Sequence, residues 1–272
     1  MQPLDKLGDL AALDTVISPL SKVVDGVIRP GRVEDALHGT WLGHPLHPAL
    51  AQVPLGCFAS ATLCDLAGER SAAAKLAAVG LASSTPAALA GATDWSKSSP
   101  STQRTGLVHA ALNTLGLVAW AASLVRRRQG GGALLGAVGT ALLSASAAVG
   151  GHLAYRQGLG ANHEADVAGP TEWTDAGPDD LAEGLPTLRT VAGTQVLLVQ
   201  TGVRVEAVAD RCAHQGGPLH EGELKDGCVT CPWHGSTFRL GDGGVVHGPS
   251  VHPQPAFDVR RQEGRLQVRL RG

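Results

Sequence analysis

The chain has 272 residues, with 22 Lys and Arg against 24 Asp and Glu and a formal charge of −2. That length admits two domains, and the near-neutral balance excludes a nucleic-acid partner held by bulk charge. Five cysteines, an odd number, argue against a scaffold of paired disulfides, and aromatics at 3% suit close helix packing more than a large aromatic core.

Leu4, Leu7, Leu10, Leu13, Ile17, Leu20, Val24 and Val27 recur at helical spacing, with Asp5, Asp9, Asp14, Lys22 and Asp25 on the other face. The pattern predicts an amphipathic helix over 4–28, broken near Pro19 and ended by Pro30 and Gly31. It would lie on a membrane surface or dock on a bundle. No early basic cluster leads into an apolar run, so no secretory signal is expected.

Four long apolar stretches follow, over about 46–66, 72–93, 107–125 and 133–154. Each is near the ~20 residues that cross ~30 Å of hydrocarbon as a helix. None has an ionised side chain in its central part, and the polar stripe of a soluble helix is missing. Pro54 and Pro86 fall inside spans, which membrane helices tolerate. Gly80, Ala82, Ser83, Ser84, Gly136 and Gly139 would let helices approach closely. Cys57 and Cys64 share a helix face and read as small packing residues.

An even number of spans places both termini on one side. Basic residues near the span ends tie between the two sides, and the Arg126–Arg128 cluster tips the loops after spans one and three towards the cytoplasm. Both termini then face outward from a plasma membrane. The lack of a disulfide would instead suit a cytoplasmic C-terminal domain, so the side stays open.

Histidines gather at one end of this bundle. His44 and His47 open the first span in Gly43-His44-Pro45-Leu46-His47-Pro48, His109 lies near the start of the third, and His152 near the end of the fourth. Intramembrane imidazoles are costly and invite a functional reading. Three alternatives stand: haem b or another metal held by two of His47, His109 and His152; a quinone site with His as hydrogen-bond donor; or interfacial residues that cap helices.

Residues 156–186 are rich in Gly, Pro, Asp and Glu and read as a linker. From Leu188 short alternating strands are separated by Gly-rich turns, which predicts a small antiparallel β domain. The expected organisation is α + β: an amphipathic segment 1–37, a four-span helical bundle 38–160, a linker 161–186 and an all-β domain 187–272.

Two loops of the β domain carry Cys212-Ala-His214 and Cys231-Pro-Trp233-His234. Each offers one thiolate and one imidazole, the donor set of a 2Fe-2S cluster whose two His raise its potential by removing negative charge. Gly216, Gly217 and Pro218 follow the first pair, and Gly235 and Ser236 the second; glycines let backbone N–H groups reach the sulfurs. Zinc on the same four residues is the competing reading, with Cys228 placed on the strand before the second loop.

With CAHQGGPL and CPWHGSTF, residues 187–270 resemble a Rieske domain. The resemblance implies that Cys212 and Cys231 bind one iron and His214 and His234 the other, more exposed iron. Rieske subunits of cytochrome bc complexes carry a further Cys in each loop; Gly217 and Trp233 stand there, so that disulfide cannot form. Phe238 occupies the place of a Tyr that donates to a Cys sulfur, and Phe cannot donate. Ser236 is retained. The pattern is closer to Rieske ferredoxins. The GHPLHP opening, with GHLAYRQGLG closing the fourth span, resembles a four-helix predicted membrane family of no assigned activity, over about 38–160.

The expected function is a membrane-tethered carrier of single electrons between redox partner proteins or membrane quinone, with electrons passing through an exposed edge near His214 and His234 and a linker that lets the domain swing. A redox-sensing module or a component of an oxygenase system is the alternative. A self-contained oxygenase needs a further iron with two His and a carboxylate; His247 and His252 read as loop residues instead.

Overall fold

The computed structural model describes residues 3–272, which divide into two units: the chain through Leu37 with Pro45–Leu159, and His38–His44 with Gly160–Gly272.

In the first unit, two 3-10 turns (Pro3–Asp9 and Ala11–Leu13) lead into α1 (Asp14–Val27). The expected helix is divided at Leu10, not at Pro19. Arg104 causes this: it donates to the Gly8 carbonyl at 2.9 Å and to both carboxylate oxygens of Asp14, pinning the turn between them. Pro19 stays inside α1 because Thr15, whose carbonyl loses its partner, faces solvent. Lys97 to Asp25 (2.9 Å) and Arg156 to Asp5 (3.3 Å) complete the docking of this segment on the bundle.

After the short α2 (Arg32–His38) come α3 (Leu46–Leu66), α4 (Arg70–Ser96), α5 (Pro100–Arg127) and α6 (Ala133–Tyr155). All four are long and apolar enough to cross a membrane. Their packing is the reverse of a water-soluble bundle. α4 buries Ala73, Ala77, Gly80, Ser84, Ala87 and Ala90, while Val53, Leu63, Leu89, Val118 and Leu134 face outward. Hydrocarbon does not drive large apolar residues inward, so close backbone contact holds such helices together. Phe58 stacks on Trp120 at 5.2 Å between ring centroids, in the space that glycines leave: a Cβ at Gly80 would meet Phe58 at 2.8 Å, and one at Gly139 would meet Trp120 at 2.6 Å. Near one end of the bundle, Arg127 bonds both oxygens of Asp65, and the two side chains are 10% and 7% exposed.

The second unit has two antiparallel sheets. The larger holds β1 (Thr174–Pro178), β2 (Pro186–Val191), β3 (Thr194–Thr201), β4 (Arg204–Ala209), β9 (Ala256–Gln262) and β10 (Arg265–Leu270), in the order β1-β10-β9-β4-β3-β2. β1 lies inside the stretch expected to be a linker. Its Asp-Ala-Gly-Pro run lacks apolar alternation, and it is a strand because β10 pairs with it. The smaller sheet is β5 (Glu223–Lys225), β6 (Cys228–Thr230), β7 (Thr237–Arg239) and β8 (Val245–His247).

β3 explains the layering. Side chains alternate along a strand, so Leu197 and Val199 face one core while Val196 and Leu198 face another. The first core also contains Cys212, Leu219, Val229, Cys231 and Phe238. Asp226-Gly227, both at positive φ (50° and 73°), turn β5 into β6, as such a two-residue hairpin demands. That hairpin delivers Cys228 to β6 and the chain to Cys231.

Asp65→Ala would leave the Arg127 guanidinium unpaired in an apolar setting, at a cost of roughly 3–5 kcal/mol. The thermal midpoint of the detergent-solubilised protein should fall accordingly, and pairing Asp65→Leu with Arg127→Leu should recover most of the loss. Equal losses in the single and double variants would contradict this account.

Candidate metal centre

The two cysteine loops have one shape. In each, the glycine four residues after the cysteine returns its N–H to the cysteine carbonyl: Gly216 to Cys212 at 2.8 Å and Gly235 to Cys231 at 3.1 Å. In each, the cysteine N–H donates to the carbonyl five residues on, Gly217 or Ser236, both at 2.8 Å. The closing glycines sit at φ 74° and 83°, a conformation that favours glycine over residues with a Cβ. Within each loop the sulfur accepts two backbone N–H groups, those of His214 and Gln215 at Cys212 and those of Trp233 and His234 at Cys231.

The loops bring the four expected donors together. The thiols of Cys212 and Cys231 lie close enough to share a hydrogen bond, and the rings of His214 and His234 stand edge to face at 5.1 Å. Gly217 is required where the loops meet, because a Cβ there would come within 2.8 Å of the Cys231 sulfur and 3.0 Å of Trp233.

Charge in the site suits metal ligation. That shared hydrogen bond and the two backbone donors lower the Cys231 thiol to about 7, whereas the same bond and burial push Cys212 up. Cys231 is therefore the first to become a thiolate. Burial, reinforced by His234, His38 and His163, depresses His214 to about 3 and holds it neutral. Its Nδ1 is buried with no hydrogen-bond partner. A buried imidazole nitrogen with no hydrogen-bond partner, in the loop that also carries the Cys212 thiol, fits a metal ligand. Among the described residues, no three His, Cys, Asp or Glu surround a single point as one ion requires. The donors stand instead as a thiol pair and an imidazole pair, an arrangement that fits a two-iron group.

The expected flanking residues divide by role. Ser236 is fully buried, and its Oγ accepts the Ser250 N–H at 2.9 Å, leaving its own proton to donate. Phe238 lies in the core beneath the loops. Trp233 is 57% exposed beside His234. His214, expected at the exposed edge, is instead 8% exposed. Segments remote in sequence lie near it: His163 donates its N–H to the Ala213 carbonyl at 2.9 Å, and His38 packs against Gly248 in the same unit. The solvent-facing part of the site is thus half-buried His234 with Trp233.

Sequence reasoning missed Gln254. Buried on the stretch between β8 and β9, it accepts the Ala213 N–H at 3.0 Å and donates to the carbonyls of Ala209 and Arg211. A polar residue between Pro253 and Pro255 was the only signal. Asp210, also buried, accepts the backbone N–H of His220 at 2.7 Å and its ring N–H at 2.8 Å, fixing the far side of the loop.

The other expected histidines separate. His44 is exposed and belongs to the second unit. His152 lies 3.7 Å from Asp5. Only His47 and His109 come together, at 6.2 Å between ring centroids.

Comparison with known proteins agrees with this geometry. Residues 172–258 match the Rieske [2Fe-2S] domain, and residues 43–163 match a predicted membrane protein family (DUF2231). The chain is 30% identical over 78 residues to ferredoxin CarAc of Metapseudomonas resinovorans, covering 29% of this chain and 73% of that one. It is 28% identical over 100 residues to the anthranilate 1,2-dioxygenase ferredoxin subunit of Burkholderia cepacia, covering 36% and 93%. Human apoptosis-inducing factor 3 is 35% identical over 75 residues, of which this chain spans 12% of the length. The chain belongs to the Rieske [2Fe-2S] family through its C-terminal unit. Its helical unit is similar to the predicted membrane protein family over residues 43–163.

Gln254→Leu orphans a buried N–H and two carbonyls. The domain should lose about 1–3 kcal/mol or more, read as earlier thermal bleaching of visible absorbance; an unchanged midpoint would refute the role. Glu164, buried beside Arg211 at 3.6 Å, has its carboxyl pushed up to about 7 by burial. The unfolded chain loses that proton near 4.5, so folded stability should fall as pH rises from about 4.5 to 7. Glu164→Gln should flatten that slope in chemical denaturation.

Proposed function

We propose that the protein is a membrane-anchored one-electron carrier in which Cys212 and Cys231 hold one iron of a 2Fe-2S cluster and His214 and His234 hold the other. The observation that carries the assignment is the pair of matched loops whose thiols face each other while the buried Nδ1 of His214 lacks a partner. When bound, such a cluster takes up and releases a single electron. The chain's part is to aim four backbone N–H groups at the two sulfurs, keep His214 neutral and dry, and leave His234 and Trp233 facing a partner.

Two relatives are ferredoxins by name, one the ferredoxin subunit of a dioxygenase. This supports a redox protein of oxygenase type as the partner, reached from a membrane anchored by α3–α6. The donor geometry does not favour haem b: the Nε2 of His109 already meets Asn113 at 3.0 Å.

The full-length protein should contain two irons and two acid-labile sulfides, and His214→Ala or His234→Ala should abolish its reduced-state EPR signal. A colourless, zinc-loaded protein would defeat the reading. With no loop disulfide and no donor at Phe238, the reduction potential should lie in the lower part of the roughly −150 to +300 mV Rieske range. A titrated value above about +200 mV would show that other donors compensate.

A further inference from the structure

The four long helices repeat one hairpin. A step of 62 residues carries α3 onto α5: His47 to His109, Leu50 to Leu112, Leu55 to Leu117, Phe58 to Trp120 and Asp65 to Arg127. A step of 59 residues carries α4 onto α6, Leu76-Ala-Ala-Val-Gly80 onto Leu135-Gly-Ala-Val-Gly139, and Gly91 onto Gly150. Side-chain geometry repeats with the sequence. His47 Nδ1 donates to the Ala87 carbonyl at 2.8 Å, and His109 Nδ1 to the Ser146 carbonyl at 2.9 Å. Ala87 and Ser146 are themselves related by the step of 59. Each ring is seated over the glycine one turn further on. A Cβ at Gly91 would come within 2.7 Å of His47, and one at Gly150 within 3.1 Å of His109. The Phe58–Trp120 stack and the Asp65–Arg127 pair join equivalent positions of the two hairpins.

Between the hairpins lies a cavity of about 140 Å³. Its walls come largely from matched positions: His47 and His109, Leu55 and Leu117, Ala88 and Ala147. Membrane proteins built from internal repeats set their ligand sites at the repeat interface. The match breaks at Asn113, whose counterpart is Ala51, and at Leu143, whose counterpart is Ser84; all four line the cavity, and the Ser84 hydroxyl is spent on the Gly80 carbonyl at 2.7 Å. The carbonyl acceptors fix both imidazoles as the Nδ1–H tautomer, which leaves each Nε2 an acceptor. That of His109 receives an N–H of Asn113 at 3.0 Å. Asn113 retains a second N–H and its carbonyl oxygen, and His47 retains the Nε2 lone pair.

We infer that this cavity binds the headgroup ring of a membrane quinone. The volume is close to the ~150 Å³ of an engineered core cavity that takes one benzene ring, and it is far too small for a haem macrocycle. The remaining walls are mostly apolar, among them Pro54, Phe58 and Leu143, and the helices are long and apolar enough to cross a membrane, so the ligand must dissolve in hydrocarbon. One rim offers a donor at Asn113 and an acceptor at His47, which suit the carbonyl of the oxidised ring and the hydroxyl of the reduced one. A lipid chain in the same place would leave both polar groups unmet, a loss of hydrogen bonding that an apolar cavity would not suffer. This inference goes beyond the carrier reading and stands on the helical unit alone.

The test is saturable binding of decylubiquinone to the protein in detergent, followed by quenching of tryptophan fluorescence, with decylbenzene, which lacks ring oxygens and does not quench, titrated in as a competitor. Asn113→Ala, which installs the residue of the matching position, should weaken decylubiquinone binding tenfold or more and leave decylbenzene binding unchanged. Ala147→Leu, which fills the cavity, should abolish saturable binding of decylubiquinone, whereas Val118→Leu on the outer surface should change nothing. Equal affinity for the two ligands would assign the cavity to lipid and overturn the inference, as would unchanged decylubiquinone binding by Asn113→Ala. The EPR signal of the cluster, recorded on the same samples, reports the carrier reading separately.

Discussion

The C-terminal unit depends on a backbone constraint: two short loops must each close on their own cysteine so that the amides inside them turn towards sulfur. Gly216 and Gly235 make the closure by adopting positive φ and returning an N–H to the cysteine carbonyl. Once closed, each loop presents a sulfur, two N–H groups aimed at it, and an imidazole two or three residues on. The rest of the domain keeps these loops in register. The β5–β6 hairpin and its pairing with β7 set the second, and Gln254 and Asp210 tie down the first.

The four candidate donors could be picked out in the sequence because CxH and CxxH with trailing glycines have little other use, and the fold brings them together as a thiol pair and an imidazole pair. The solvent exposure of His214 was not legible. His163 and His38, which lie 51 and 176 residues away in the chain, come near His214 in the fold, and no local pattern marks the approach of segments so remote. β1 was hidden for a related reason: its residues lack strand periodicity, and pairing with β10 alone makes them a strand. α3 was read to its ends because composition alone delimits an apolar helix. The break before α1 was misplaced because a proline is a weaker cause than a tertiary anchor such as Arg104.

The helical unit obeys a different rule. Its helices bury Ala, Gly and Ser and turn Val and Leu outward, so the few large or polar side chains inside mark places where close packing was relinquished. Phe58 and Trp120 occupy one such place, over glycines that admit them. His47 and His109 occupy another, each over its own glycine. The repeat relating these places was visible in Leu76–Gly80 and Leu135–Gly139, but an Ala- and Gly-rich background makes any two apolar stretches look alike.

A repeated hairpin also explains why the two imidazoles meet while His44 and His152 do not join them. Duplication places equivalent residues face to face, and His47 and His109 are equivalent; His44 and His152 have no counterpart in the other hairpin. An arrangement of matched residues offers the same groups on both sides, which grips a ligand but does not orient it. Asn113 breaks the equivalence at the cavity wall. Placed beside a preserved imidazole, it gives the seam a polar end, while the mostly apolar residues around it supply the other.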